Sequence, residues 1–158
     1  MTNSLRKSVG TGGSGETEAG WLAIEDLAHV VVTSEDPDAP IEAALIEGAG
    51  SRWRAAAPGA QSIRIRFDRP QDIHLIHVVF EETEHARVQE FSLEWSNDDG
   101  RTFQPIIRQQ FSFSPSGATR EAESYRVNLS ASTELRLHVV PEISGGSHVA
   151  TLTRLRIR

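Results

Sequence analysis

The chain has 158 residues, yet no cysteine, one methionine, one tyrosine and only 6% aromatic residues. Without cysteine there is neither a disulfide framework nor a thiolate metal site. No apolar run approaches the roughly 20 residues of a membrane-spanning helix. The opening MTNSLRKSV carries two cations with no apolar stretch behind them, unlike a secretory leader. The expectation is a cytoplasmic protein with no membrane insertion, so the glycosylation-like tripeptide Asn128-Leu129-Ser130 carries no weight. Catalytic signatures are missing as well. There is no GxSxG, no HExxH and no P-loop context, because the Gly-rich run at Gly10–Gly15 follows a polar N-terminus instead of a strand. A net charge of −6 argues against a nucleic-acid scaffold, which needs a basic excess, although arginines make up most of the cations and could form a local patch.

What is present is short-range alternation. Residues 1–18 are rich in Gly, Ser and Thr and read as a flexible tail ahead of a single domain over 19–158. Trp21–Leu27 reads as a helical turn or a short edge strand, and Ile41–Leu45 as one helical turn. Ile63, Ile65 and Phe67 share one face of a strand, with Arg64 and Arg66 on the other. Ile73–Phe80 is apolar on both faces and reads as a central strand. Phe91, Leu93 and Trp95 alternate with polar residues and run into Asn97-Asp98-Asp99-Gly100, a hairpin turn built from residues that tolerate positive φ. Further strands follow over Phe103–Phe113 with a break near Pro105, around Tyr125–Leu129, around Leu135–Val139 and at Thr153–Ile157. About eight strands and no long helix predict an all-β, antiparallel sandwich or barrel, whose loops carry whatever function it has.

Two landmarks are more specific than the alternation: AALIEGAGSRW, ending at Trp53, and FSLEWSNDDGRTFQPI, from Phe91 to Ile106. Their order, together with IHLIHVVF and the closing LRLHVVPEISGGSHVATLTRLRI, resembles the discoidin or coagulation factor 5/8 C-type family of galactose-binding-like jelly rolls. The resemblance implies an eight-stranded antiparallel jelly-roll sandwich. It also implies a noncatalytic module whose loops at one end bind sugars, anionic lipid head groups or proteins. A carbohydrate ligand is the first expectation and an intracellular protein-interaction module the alternative. The acidic SEDPDAP and EETEHAR loops speak against a lipid surface.

The family also implies a structural calcium near the Glu47-Gly48 turn. This sequence disfavours it: Ala49 and Gly50 offer no side-chain oxygen, and Arg154 falls where a carboxylate is usual. The expectation is therefore no cofactor, with a Glu47–Arg154 ion pair in place of the metal. His74 and His77, three apart on a strand, should face opposite sides and share no ion. For the ligand site, Glu81, His85 and Arg87 flank or occupy a charged loop that is either a solvated hairpin connection or part of a sugar site. Arg52 sits beside Trp53, which the resemblance places under the loops as a core residue. Phe113 is either a stacking platform or core, and Arg120 and Glu121 are charged candidates for the same site.

Overall fold

The computed structural model describes residues 20–158, so the expected tail and its Gly-rich run lie outside the described residues. Two single-turn helices, α1 (Ile24–Leu27) and α2 (Glu42–Leu45), accompany eight strands: β1 (Ala28–Val32), β2 (Trp53–Pro58), β3 (Gln61–Glu81), β4 (Arg87–Ser96), β5 (Gln104–Phe113), β6 (Arg120–Val140), β7 (Val149–Leu152) and β8 (Arg154–Ile157). All pairings are antiparallel. One sheet runs β1-β3-β6-β4-β5 with β8 also on β3, and β2 pairs with β7.

The organising elements are β3 and β6, each 21 residues long. Alternation had divided each of these stretches into two strands, but one ladder runs from Gln61↔Val139 to Glu81↔Arg120, with register shifts between Arg66 and Leu75. Its first half lies beside β1 and β4, and its second half beside β8. Phe91 pairs with Val139 and Phe80 with Glu121. On a straight strand those partners would lie about 60 Å apart. The rings of Phe80 and Phe91 nevertheless sit 5.1 Å apart. The ladder must therefore fold back on itself, and the same two strands contribute to both layers of the sandwich.

The sequence at the bend explains it. Asp68, Arg69 and Pro70 are exposed and interrupt the apolar face. On the opposite strand Ala131 adopts left-handed backbone at φ 53°, and its N–H donates to Asp72 Oδ1 at 2.9 Å. Beyond the bend the burial phase slips by one residue: Ile63, Ile65 and Ile73 are buried, and then Ile76, Val78 and Phe80. This corrects the expectation for the histidines. Because Ile73 and Ile76 both point into the core, His74 and His77 both lie on the outer side, with His77 Nδ1 2.8 Å from Ser124 Oγ.

The hairpin at Asn97–Gly100 forms as its residues predict. Asp98 accepts from the Ser96 hydroxyl at 2.6 Å and from the Thr102 amide at 3.0 Å, and these bonds hold its carboxyl down at about 2. Gly100, at φ 80°, is required twice over, since a Cβ there would also lie 2.4 Å from Glu134 Oε2. Pro105 is accommodated because β5 is an edge strand and the ladder slips between Leu93 and Glu94, beside it. Trp53 is fully buried, and its indole N–H donates to the Ser34 carbonyl at 3.1 Å, tying the SEDPDAP loop to the core.

The bend can be tested directly. Ala131→Val, a β-branched side chain forced into left-handed backbone, should cost about 1–2 kcal/mol in a denaturant titration. Ala131→Gly should be close to neutral, as relief of strain offsets the added entropy of the unfolded chain.

Candidate functional site

The loop end of the sandwich holds an open, polar cleft of about 390 Å³. Three separated segments build it: Arg52 and Arg54 around the start of β2, Glu82–His85 in the β3–β4 connection, and Ser147, His148, Val149 and Thr151 leading into β7. Arg52, just before β2, and Arg54, within it, flank the buried Trp53; both are exposed and line the cleft. His148 follows Gly145 and Gly146, whose φ values of 89° and 102° turn the chain back toward β7. The His148 and His85 rings meet edge-on with centroids 5.6 Å apart.

Beneath the cleft lies Arg87. It is 4% exposed, and its guanidinium donates to the Val149 carbonyl at 3.3 Å and lies 3.4 Å from Glu82 Oε1. Burial draws its pKa down, and the nearby Glu82 carboxylate opposes that shift. The Phe113 ring packs against the same guanidinium, 5.6 Å from its carbon. Arg87 thus fastens the β3–β4 connection to β7 from below. It is a positioning residue for the cleft and has no free face to offer a ligand.

The seven residues singled out from the sequence therefore separate. Arg52 and His85 line the cleft, and Arg87 forms its floor. Phe113 is 2% exposed and packs at a tilt against Phe111, so it is a core ring and not a platform. Glu81 and Arg120 face each other across the ladder at 3.9 Å and do not line the cleft. Glu121 lies inside the sandwich. Arg54 and His148 were missed. The Arg-Trp-Arg pattern carried the signal for Arg54, whereas nothing local to the GGSH segment places His148 opposite His85.

Glu121 is 1% exposed and lies beside Glu123 on the inward face of β6. Gln109 of β5 reaches across, donating to Glu123 Oε1 at 3.0 Å and accepting from the Tyr125 hydroxyl at 2.8 Å. Burial, with the neighbouring Glu123 charge adding to it, pushes the Glu121 carboxyl from 4.5 up to about 7. Glu121 Oε1 and both amide atoms of the buried Gln89 have no hydrogen-bond partner. Between pH 4.5 and about 7 the unfolded chain releases this proton while the folded chain keeps it. Stability from this group therefore falls as pH rises through that window and levels off above it. Glu121→Gln should remove that slope and raise stability at pH 8 by about 2 kcal/mol, read as a melting temperature at several pH values.

The expected Glu47–Arg154 ion pair does not form. None of the ion pairs among the described residues involves Glu47. The last strand is offset from that expectation by one alternation, so that Arg156 takes up the position by α2. Its Nη1 donates to the Ala44 carbonyl at 2.8 Å, and the Glu47 and Glu25 charges act on it against the cost of burial. Among the described residues there is no group of three or more His, Asp or Glu side chains that could hold a metal. Arg156 itself joins the final strand to α2. Arg156→Ala should lower the melting temperature by several degrees, the effect of about 1–2 kcal/mol. Addition of a chelator to the parent protein should leave its melting temperature unchanged.

No family model matches the chain, and no curated protein matches it. Solved structures do. The chain is similar to CBM32-3 from a family 31 glycoside hydrolase of Clostridium perfringens, with 19% identity, TM-score 0.63, and coverage of 89% of this chain and 97% of that one. It is also similar to the CBM32 of AlyQ in complex with 4,5-unsaturated mannuronic acid, at 19% identity and TM-score 0.60, covering 84% and 95%. A third match is a GH29 fucosidase of Ruminococcus gnavus, at 13% identity and TM-score 0.63. There the match covers 82% of this chain but only 24% of the fucosidase chain. The likeness is one of fold: the chain is an antiparallel jelly-roll sandwich of the kind these modules have.

Proposed function

We propose that the chain is a noncatalytic module that binds a carbohydrate in the cleft at the loop end. The observation that carries this reading is the convergence of Arg52, Arg54, His85 and His148 from three distant segments onto one open surface over a fixed, buried floor. Sugars present adjacent hydroxyls that both donate and accept. The cleft answers with guanidinium donors, imidazole nitrogens and the Glu84 carboxylate. Among the described residues no Phe, Trp or Tyr lines it, and the two imidazole rings supply its flat surface.

The fold neighbours support the reading. They include a pectin-binding carbohydrate-binding module and a family 32 module from C. perfringens NanJ in complex with galactose. Some neighbours are parts of longer enzyme chains, such as the truncated AlyQ that carries CBM32 and alginate lyase domains, which fits a role in holding a polysaccharide. An open cleft buries little of a small ligand, so affinity for a monosaccharide should lie on the order of millimolar to high micromolar.

The test is a titration of the isotope-labelled protein with hexoses, deoxyhexoses, amino sugars and uronates, followed by amide and imidazole shifts in NMR. A binding sugar should move His85, His148 and Arg52 together. His85→Ala and His148→Ala should each weaken it by about tenfold with the melting temperature intact. Shifts confined to other surfaces, or none with any sugar, would count against the reading.

A further inference from the structure

From the charge arrangement in this cleft we infer that its preferred ligand is an anionic saccharide whose carboxylate is held by Arg52 and Arg54. The inference rests on the loop-end reading above and narrows it to a chemical class.

The chain as a whole is acidic, with a net charge of −6. Four arginines on the outer faces of its strands have a carboxylate neighbour: Arg64 has Glu134, Arg108 has Glu90, Arg120 has Glu81 and Arg136 has Glu94. Arg52 and Arg54 have no such neighbour. Both are exposed and adjacent on one wall, and neither forms an ion pair among the described residues.

Of the acidic residues that share the cleft, Glu82 lies 3.4 Å from the buried Arg87 and is neutralised by it. Glu84 is 81% exposed, with Oε2 4.0 Å from His85 Nε2. Among the described residues of the cleft, one outward carboxylate thus stands against two guanidinium groups, and the wall keeps a net positive charge. Two exposed side chains flanking the buried Trp53 can each direct a planar fork of N–H donors at a single carboxylate. The hydroxymethyl group of a neutral hexose offers nothing to neutralise them. A uronate differs from its parent hexose only at that carbon, where it carries the missing charge.

The experiment compares three isosteric pairs on the intact chain by calorimetry or NMR titration: galactose with galacturonate, glucose with glucuronate, and mannose with mannuronate. In at least one pair the uronate should bind about tenfold more tightly at roughly 20 mM salt, and the gap should narrow at about 0.5 M salt. In the double variant Arg52→Gln, Arg54→Gln that preference should collapse, with the neutral sugar affected far less. Melting temperatures identical to the parent's would confirm that the variant is folded. If neutral hexoses perturb the cleft as strongly as their uronates, or if the preference survives the double substitution, the inference is overturned and the carbohydrate reading stands. If none of the six sugars perturbs the cleft, both fall.

Discussion

The structure depends on the fold-back of a single antiparallel ladder. Strands β3 and β6 remain paired along most of their length, and the turn-over near Asp72 and Ala131 lets them serve both layers. Backbone hydrogen bonds would otherwise stop at the edge of each layer and expose it. Running one ladder through the corner satisfies those groups and lets the apolar sides of both halves close on a common interior. The contact between Phe80 and Phe91 is the direct sign of that closure.

The cleft follows from the same constraint. Where β3 ends at Glu81 the chain must cross to β4, and the Glu82–His85 connection is held at both ends. The Glu82 amide donates to the Thr119 carbonyl at 2.9 Å, and the Glu82 carboxylate sits against Arg87. Arg87 in turn reaches the Val149 carbonyl of β7, and β7 pairs with β2, which carries Arg54. A chain of short contacts therefore runs from the fold-back ladder through one buried guanidinium to both walls of the cleft. The surface is preorganised, so a ligand pays little to order it.

Much of the framework was legible in the sequence because alternation reports directly on which face is buried. Ile63–Phe67 and Phe91–Trp95 sit where their period of two placed them, and the Asn-Asp-Asp-Gly turn was readable from residues that accept positive φ. The corner was not readable. A one-residue slip hidden in an all-apolar run reverses the facing of His77, and only the cross-strand register reveals it. The site was half legible for the same reason. Arg52 and His85 stand in loops that announced themselves by charge, whereas the tertiary fold decides that Arg87 and Glu121 point inward. Residue type leaves Phe113 open between platform and core and offers Arg87 to the site, whereas the pairing of strands turns both toward the interior.

The most direct measurement is a crystal structure of the protein soaked with a saccharide that it binds in solution. The account predicts density for the sugar ring between Arg52 and the His85–His148 pair, with the surrounding backbone unmoved. A sugar seated on the outer face of β4 and β5, or in the groove beside Trp21 and Arg156, would contradict it.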